Sequence, residues 1–286
     1  MTAKSMDGKR AAGQLLAQCR QQSETFLAEH GRRPGLAVMI AGDNPASEVY
    51  VANKIRACEN AGLHSQMARF AADAATAQLL AGVRGFNDDD AIDGILVQLP
   101  LPPDADAESV LDAVSPHKDV DGFHAVNIGR LVLGLPALAP CTPSGCMRLL
   151  SDAGVNPSGK NAVILGRSNI VGKPMALMLV NAGATVTVCN SKTPDIAAET
   201  RRADIVVAAI GKPRFVRGDM IKPGAVLIDV GINRDSESKK IVGDVDFDEC
   251  AQVAGHITPV PGGVGPMTVA MLIANTIAAA QSRQSR

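Results

Sequence analysis

The chain has 286 residues and a formal net charge of −1, from 28 basic and 29 acidic residues. Hydrophobic residues make up 46% and charged residues 20% of the sequence, as in ordinary soluble globular proteins. This charge balance excludes a protein built to coat nucleic acid or an anionic membrane, and the length suffices for one large domain or two modest domains.

The N-terminal segment, MTAKSMDGKRAAGQLLAQCR, has neither the apolar stretch nor the cleavage motif of a secretory signal. No apolar run reaches the ~18 residues that a membrane-spanning helix needs. We therefore predict a cytoplasmic protein without a membrane partner. The six cysteines contain no C-x-x-C pair and the five histidines are scattered, so the sequence predicts reduced, partly buried thiols and no metal site.

Two short aliphatic runs predict strands in the first part of the chain: LAVMIAG (36–42) and GILVQLP (94–100). Both are almost continuously apolar, which is typical of strands buried on both faces of a parallel sheet. Between them, a helix is predicted after Asn44-Pro45, with Ser47 as its N-cap.

This predicted helix carries the single tyrosine of the chain, one turn before a lysine. Val51, Ile55 and Cys58 are spaced i, i+4 and i+7 and form an apolar stripe. Tyr50 and Lys54 lie on the neighbouring stripe, about 100° around the helix. The residues alone favour a partly exposed amphipathic stripe. The alternative is a hydroxyl and an amine that project together into a cleft.

Polar residues follow the second predicted strand. Gln98 lies near its carboxyl end, where ligands bind in open α/β sheets, although nearby backbone can also satisfy such an amide. The loop PHKDVDGFHAVN (116–127) places Asp119 and Asp121 two residues apart. The two carboxylates can therefore face different ways, and either can be the acid of an Asx turn rather than a ligand contact.

A domain boundary is predicted between about 120 and 150, because this part of the chain is rich in Gly and Pro. The stretch DGFHAVNIGRLVLGLPALAPCTPSG (121–145) shows no sustained hydrophobic period. It is therefore interpreted as a connector and loop.

Four further aliphatic runs alternate with helical segments in the second part of the chain. One such segment, KPMALMLVNAG, ends on Gly183, which suits a helix C′ position. This βαβ rhythm predicts a doubly wound parallel sheet. The four runs are NAVILG (161–166), ATVTVCN (184–190), DIVVAAIG (204–211) and AVLIDVG (225–231).

The first of these runs leads into a glycine turn, GRSNIVGKP (166–174). In a strand–turn–helix setting, backbone N–H groups and a helix N-terminus hold a pyrophosphate. Gly166, Ser168 and Gly172 do not complete the G-x-G-x-x-G pattern, so a tight turn without a ligand stays the alternative.

The end of the next strand bears on the choice between NAD and NADP. An NAD site usually has an Asp or Glu there for the ribose 2′-hydroxyl. This sequence has Asn190, Ser191 and Lys192 instead, and Arg167 lies in the glycine turn. A neutral or positive pocket suits a 2′-phosphate, so the sequence favours NADP unless Arg167 is only a solvated turn residue.

The last motif is TPVPGGVGPM (258–267), which lacks the GK[ST] of a P-loop. Its prolines restrict the backbone, and its glycines let a flat ligand approach closely. Pro266 suits the start of the apolar helix that follows. If that helix returns to the first domain, the domains are 1–125 plus 267–286, and 140–266.

Motifs along nearly the whole chain together resemble the bifunctional methylenetetrahydrofolate dehydrogenase/methenyltetrahydrofolate cyclohydrolase family. The resemblance implies an α/β fold with an N-terminal folate-binding catalytic domain, a C-terminal Rossmann-like NADP-binding domain and a cleft between them. It also implies a homodimer and a folate substrate. The motifs are SEVYVANKIRACENAGL (47–63), DGILVQLPLP (93–102), PHKDVDGFHAVNIGRL (116–131), GRSNIVGKPMALML (166–179) and TPVPGGVGPMTVAML (258–272).

The same resemblance assigns roles to individual residues. Lys54 is implied as the central catalytic group, chiefly in hydrolysis, with Gln98 positioning it. Tyr50 is implied to stack on the folate, and Asp121 to receive the donor edge of the pterin. Further implied folate contacts are Val97, Leu99, Pro261, Gly262, Gly263, Val264 and Gly265. Implied cofactor contacts are Gly166, Arg167, Ser168, Ser191 and Ile232.

Two other functions stay open on the residues alone. One is an NADP-dependent dehydrogenase of similar build that acts on a small polar acid. The other is a nucleotide-sensing or scaffold protein without turnover. The first does not explain why Tyr50, Lys54 and Gln98 occur together with the PGGVGP turn. The second could lose Lys54 or Asp121 freely, yet both are present. The family also implies cis peptides at Leu99-Pro100 and Val260-Pro261.

Overall fold

The computed structural model of the chain describes residues 2–236 and 239–284. The helices are α1 (Gly8–His30), α2 (Pro45–Asn60), α3 (Thr76–Asp88), α4 (Ala107–Asp112), α5 (Ala125–Val132), α6 (Cys141–Asp152), α7 (Gly172–Asn181), α8 (Ile196–Arg201), α9 (Phe247–Cys250) and α10 (Val264–Gln284). The strands are β1 (Lys4–Ser5), β2 (Gly35–Ala41), β3 (His64–Phe70), β4 (Gly94–Val97), β5 (Asn161–Leu165), β6 (Thr185–Cys189), β7 (Ile205–Ala208), β8 (Val226–Asp229), β9 (Asn233–Arg234), β10 (Ile241–Val242) and β11 (His256–Ile257).

The chain divides into two compact units. The three-stranded unit contains residues 13–141 and the chain from Val269 onward, and the six-stranded unit contains the residues up to Ala12 and residues 142–268. The predicted α/β fold with a parallel sheet in each part is confirmed. All six strands predicted from aliphatic runs are present.

In the three-stranded unit the strand order is β3-β2-β4, and both pairings are parallel. Every residue of β2 is buried, as its apolar run predicts. On α3, Leu79, Val83 and Phe86 lie at i, i+4 and i+7, and they join Met39 and Val97 in one core cluster. Burying each such side chain contributes about 1.5–3 kcal/mol, so α3 holds this sheet from one face.

Helix α10 closes the core of the three-stranded unit. It is long and apolar enough to cross a membrane by length and composition, but 56% of its most apolar window is buried in the protein. Its last turn adds Arg283, which donates 2.9 Å to the buried carboxylate of Asp93. Asp93 also accepts from Arg32 at 2.7 and 2.8 Å and from Gly35 N at 2.9 Å. These contacts make α10 a core helix.

In the six-stranded unit the strand order is β1-β11-β8-β7-β5-β6, parallel throughout. The chain runs from β5 outward to β6 and then returns past β5 to β7. The strand order therefore reverses between β5 and β7, and ligands bind at the carboxyl ends of strands at such a reversal. The core beneath these strands includes Val163, Leu165, Val206 and Leu227.

Several expectations from the sequence need correction. Strand β6 is not buried on both faces, because it lies at the edge of its sheet, and Val188 is 38% exposed. The first residues lie in the six-stranded unit rather than with the first domain, because Lys4 pairs with His256 in the large sheet. The six cysteines are fully buried rather than partly buried, and all are free.

The stretch 121–145 is not only a connector, because it contains α5 and the start of α6. His124 Nδ1 caps α5 by accepting 3.1 Å from Val126 N. Gly134, with a φ of 67°, ends the helix just after its C-cap Leu133. The eight residues of α5 are too few to show a period among neighbouring Gly and Pro residues.

Helix α10 begins at Val264, three residues before the predicted start at 267. Val264 and Gly265 therefore lie in its first turn rather than in a loop. Pro266 is also in this turn, where a missing N–H leaves no helix bond unmade. Leu99-Pro100 and Val260-Pro261 are cis, as the resemblance implied.

Candidate active site

Helix α2 starts at Pro45, and its cap is Asn44. Asn44 Oδ1 accepts 3.3 Å from Ser47 N, which is the third residue of the helix. The prediction of Ser47 as N-cap is therefore wrong. Proline suits the first helical position because its φ is already helical, so the helix begins three residues earlier than predicted, and Ser47 is buried in its first turn.

Lys54 does not lie on an ordinary exposed stripe. Its Nζ donates 3.1 Å to Oε1 of Gln98, which directly follows β4. Val51 and Cys58 are buried and anchor α2 from the neighbouring stripe. Tyr50, one turn before Lys54, is 44% exposed and is available to a ligand. The helix thus places an amine at a strand end and a phenol beside it.

Gln98 combines the two interpretations that its sequence position allowed. Its backbone N donates 2.8 Å to Met39 O, which continues the β2–β4 pairing by one residue. Its side-chain Nε2 donates 2.7 Å to Leu99 O. Local backbone therefore fixes one end of the amide, and the other end is directed at Lys54. An amide held in this way presents its oxygen to the amine in one orientation.

The structure separates the roles of the two acids in the following loop. Asp119 is buried and organises the turn: its carboxylate accepts from Gly122 N at 3.1 Å, His124 N at 2.8 Å and Asn127 Nδ2 at 2.9 Å. These three bonds occupy most of the roughly four acceptor sites of a carboxylate. Asp119 is therefore the turn acid, and Asp121 is the acid that the turn presents.

Asp121 lies within the electrostatic reach of Lys54. Burial raises the pKa of the Asp121 carboxyl, while the positive charge of Lys54 lowers it. A cavity of about 30 Å³ beside it is also lined by Val97 and Leu99. The structure thus brings three predicted folate contacts to one cavity. The Val97 side chain belongs mainly to the core, with 6% exposure.

A buried lysine anchors this loop to the rest of the three-stranded unit. Lys118 Nζ donates to Phe86 O at 2.9 Å, Asn87 O at 2.8 Å and Asp89 O at 2.8 Å. These carbonyls are at the C-terminal end of α3, where helix carbonyls lack intrahelical partners. Burial lowers the pKa of the Lys118 amine. Lys118 is therefore a helix cap rather than a group for chemistry.

In the six-stranded unit, two glycines shape the turn after β5. A Cβ on Gly166, whose φ is 116°, would lie 2.2 Å from Ala209 O. A Cβ on Gly172 would lie 2.2 Å from Gly166 O. Ser168 Oγ accepts from Val171 N at 3.2 Å and from Gly172 N at 3.3 Å. Ser168 therefore binds the backbone just before and at the start of α7, a contact that the sequence did not predict.

The other predicted cofactor residues are exposed beyond the carboxyl ends of the parallel strands. Arg167 follows β5, Ser191 follows β6 and Ile232 follows β8, and all three are exposed. These three strands lie in one sheet together with β7. An arginine and a hydroxyl without a carboxylate at the end of β6 fit a 2′-phosphate. The turn geometry and this donor set fit NADP.

Two buried carboxylates, which the sequence did not single out, hold the loops after β7 and β8. Asp229 accepts from Gly231 N, Asp244 N and Val245 N, each at 2.9 Å. Burial raises the pKa of the Asp229 carboxyl to about 6, although the three backbone donors lower it. Asp229 thereby fixes the strand end that leads to Ile232.

Asp244 joins the two loops to each other. Its carboxylate accepts from Ile210 N at 2.7 Å and Gly211 N at 3.0 Å after β7, and from Asn233 Nδ2 at 2.8 Å after β8. A Cβ on Gly231 would lie 2.3 Å from Asp244 Oδ1, so a glycine is needed there. The AVLIDVG run predicted a strand, but nothing in the sequence predicted this pairing of its end with Asp244.

The predicted folate-binding turn Pro261–Gly263 lies at the start of α10 in the six-stranded unit. Gly262 has a φ of 111°, and its carbonyl accepts 3.1 Å from Lys9 N at the start of α1. A Cβ on Gly8 would lie 1.7 Å from Gly263 O. Close backbone approach therefore fixes this turn. Within residues 2–236 and 239–284, no group of three His, Cys, Asp or Glu is arranged to hold a metal.

Family models match most of the chain. Residues 6–121 match the tetrahydrofolate dehydrogenase/cyclohydrolase catalytic domain, and residues 140–284 match the NAD(P)-binding domain of the same name. The chain is 56% identical to the bifunctional protein FolD of Methylibium petroleiphilum over 281 residues, which cover 98% of this chain and 99% of that protein.

Solved structures show the same similarity. One is the bifunctional enzyme FolD, methylenetetrahydrofolate dehydrogenase/cyclohydrolase, from Campylobacter jejuni, at 48% identity and a TM-score of 0.96, covering 98% of this chain and 99% of that chain. Another is the N5,N10-methylenetetrahydrofolate dehydrogenase-cyclohydrolase of Trypanosoma brucei, solved with NADP cofactor and an inhibitor. It is 40% identical with a TM-score of 0.95, covering 100% of this chain and 99% of that chain.

Proposed function

The chain belongs to the tetrahydrofolate dehydrogenase/cyclohydrolase family, and we propose that Lys54, held by Gln98, is the group on which its hydrolytic step depends. The protein is a bifunctional, NADP-dependent enzyme of one-carbon metabolism. It oxidises 5,10-methylenetetrahydrofolate to the 5,10-methenyl cation and hydrolyses that cation to 10-formyltetrahydrofolate. When bound, NADP accepts the hydride that leaves the methylene bridge.

The hydrolytic step needs proton transfer. Water adds to the bridging carbon of the cation and loses a proton, which leaves a neutral carbinol. The bond from that carbon to N5 then breaks as N5 gains a proton, and the carbinol hydroxyl releases its proton to solvent as the formyl C=O forms. An amine near the bridging carbon can take the first proton and return it to N5. The 3.1 Å bond from Lys54 Nζ to Gln98 Oε1 carries this proposal, because it fixes the amine at a strand end where ligands bind.

Asp121 is proposed to receive the donor edge of the pterin ring. An ionised carboxylate accepts from two adjacent N–H groups, which suits that edge. Two observations support this role. Asp119 carries the bonds that organise the turn, and Asp121 lines the cavity that Val97 and Leu99 also line.

The remaining predicted contacts complete the proposal. Tyr50 is proposed to stack on the folate, for which its 44% exposure leaves the phenol accessible. The proposed folate contacts also include Val97, Leu99, Pro261, Gly262, Gly263, Val264 and Gly265. The proposed cofactor contacts are Gly166, Arg167, Ser168, Ser191 and Ile232. On this basis the three-stranded unit supplies the catalytic residues, and the six-stranded unit binds NADP.

We also propose a homodimer joined through the six-stranded unit. Its edge strand β6 leaves Val188 exposed, and Val180 on α7 is 53% exposed. Light scattering should give twice the 29.6 kDa mass of one chain, and a monomer mass would refute the dimer. A cytoplasmic location is proposed as well, and the six buried free thiols suit a reducing compartment.

The variant Lys54→Ala tests the central role. We expect hydrolysis of supplied 5,10-methenyltetrahydrofolate to fall by about 10²–10⁴-fold, the usual contribution of a positioned acid–base group. Arg56→Ala is the matched control, because Arg56 is an exposed cation two residues away on the same helix. Undiminished hydrolysis in folded Lys54→Ala would remove Lys54 from the mechanism.

A further inference from the structure

The carboxamide of Asn275, on α10, binds the backbone immediately before Asp121. Asn275 Nδ2 donates 2.8 Å to Val120 O and 2.9 Å to Ala139 O. The side chain is 9% exposed. An amide NH₂ has two N–H donors, and here they reach two separate chain segments. The Val120 carbonyl belongs to the same planar peptide unit as the N–H of Asp121.

A second donor acts on the same carbonyl. Cys141 Sγ donates 3.2 Å to Val120 O and lies 3.6 Å from Asn275 Nδ2. The Cys141 thiol is 1% exposed. Burial raises its pKa well above the ordinary value, so it keeps the proton that it donates. The Val120 oxygen is therefore within reach of two donors, and the same thiol is also a hydrogen-bond partner of the Asp121 carboxyl.

Gly122, the residue after Asp121, is restrained by the backbone of Ala139, which is the second segment that Asn275 holds. Gly122 has a φ of 80°, and a Cβ there would lie 2.4 Å from the carbonyl carbon of Ala139. The backbone of Ala139 thus packs directly against Gly122, while Asn275 fixes the Ala139 oxygen. Asp119 holds the Gly122 N–H from its own side at 3.1 Å.

We propose that Asn275 is a positioning residue for Asp121: by holding Val120 O and Ala139 O, it sets the direction in which the carboxylate meets the folate. The proposal rests on the folate-binding role of Asp121. It assigns a part of the affinity for folate to a residue that the chain places 155 positions from Val120. Without the Asn275 bonds, the Val120 carbonyl keeps only the weaker thiol donor of Cys141, so the Val120–Asp121 peptide plane is less restrained.

The test uses Asn275→Leu, which keeps the approximate volume and removes both donors. The matched control is Thr276→Val on the same helix, because Thr276 is fully buried and its Oγ1 donates only within the helix, to Leu272 O at 2.8 Å. We expect Asn275→Leu to raise the KM for methylenetetrahydrofolate tenfold or more and to change the KM for NADP less than twofold. Thr276→Val should leave both constants within twofold of the parent.

Asn275→Ser provides a second variant if Asn275→Leu does not fold, because the smaller side chain lets water reach both carbonyls. It should show the same pattern of raised folate KM and unchanged NADP KM. Equal loss for both ligands, or no loss for either, in a variant that keeps the parent melting temperature would overturn the positioning role.

A double-mutant cycle separates positioning from general support of the fold. Binding of tetrahydrofolate is measured by anaerobic titration calorimetry in the parent, Asn275→Ser, Asp121→Asn and the double variant. Because Asn275 acts through Asp121, we expect Asn275→Ser to weaken binding at least fivefold in the parent and less than twofold in the Asp121→Asn background.

Equal weakening in both backgrounds would contradict the proposal while leaving the role of Asp121 intact. If Asp121→Asn binds tetrahydrofolate as tightly as the parent, the proposed role of Asp121 fails first and the role of Asn275 fails with it. Normal binding in Asn275→Ser, together with weak binding in Asp121→Asn, refutes the role of Asn275 alone.

Discussion

Buried carboxylates organise loops in both units, but the loops expose different groups: an acidic side chain in one unit, and backbone and apolar surface in the other. In the three-stranded unit, Asp119 holds a turn that contains another acid, Asp121, the proposed folate contact. In the six-stranded unit, Asp244 joins two loops that present Gly211 and the exposed Ile232. The three-stranded unit thus offers a carboxyl side chain, and the six-stranded unit offers backbone and apolar surface.

This difference follows from what each unit is proposed to bind. A pterin carries a fixed pattern of N–H donors, so it needs a carboxylate in a set direction. A dinucleotide has a phosphate that glycine turns and N–H groups hold, and a flat ring that lies against apolar surface. Loss of Asp119 should therefore weaken the binding of folate, and loss of Asp244 should weaken the binding of NADP.

The largest expected effect is the loss of stability when either of the two loop-holding acids, Asp119 or Asp244, is replaced. Asp119→Ala leaves three donors of the turn without their acceptor, and Asp244→Ala does the same to three donors in the other unit. Each unmade buried bond costs about 1–3 kcal/mol, so we expect the free energy of unfolding to fall by about 3 kcal/mol or more. Urea denaturation measures this loss.

The two variants should differ in the ligand that they lose. At a temperature where both remain folded, Asp119→Ala should raise the KM for folate, and Asp244→Ala should raise the KM for NADP. Asp248→Ala is a suitable control, because Asp248 is an exposed acid on α9. The same pattern of KM changes in both variants would break the distinction between the two units.

Replacement of Asp121 should act mainly on the binding of folate. The Asp121 carboxyl has one hydrogen-bond partner in the Cys141 thiol, whereas Asp119 accepts from three donors of the turn, so Asp121→Ala should shift the unfolding midpoint much less than Asp119→Ala. Hydrogen bonds to a charged group contribute about 1.5–3 kcal/mol each, so the KM for folate should rise by about tenfold or more. Unchanged folate kinetics would make Asp121 a turn residue like its neighbour.

The smallest effect is expected at the cofactor. Arg167 is exposed, so Arg167→Ala should leave the free energy of unfolding unchanged. The binding of NADP should weaken by roughly tenfold, because the charge-assisted bond to the 2′-phosphate is lost. The KM for NAD, which lacks the 2′-phosphate, should stay within twofold of the parent value. Lys173→Ala on α7 is the control, since Lys173 donates to Asn169 instead. Equal weakening of NADP and NAD would refute the 2′-phosphate contact.

How much of the fold was predictable depended on burial. Strands β2 and β8 are buried throughout, so their aliphatic runs identified them. Strand β3, HSQMARF, was missed because it lies at a sheet edge, where polar residues alternate with partly buried ones. The two-residue strands, such as β11, are too short to produce any pattern.

The site was predictable only where a residue type carries its own chemistry. Tyr50, Lys54 and Gln98 could be selected from sequence and family resemblance, although local pattern alone favoured an exposed helix. Asn275 and Asp244 could not be selected, because their role lies in contacts to backbone atoms far along the chain, such as Val120 O. An amide within an apolar helix gives no sign of the carbonyl that it binds.

The most direct test of the account is a single progress curve of the parent enzyme with 5,10-methylenetetrahydrofolate and NADP. We expect NADPH to form while the absorbance of the methenyl cation rises and then decays faster than its spontaneous hydrolysis, and we expect NAD to replace NADP poorly. Formation of NADPH with decay of the methenyl cation at only the spontaneous rate would contradict the account, as would the absence of NADPH.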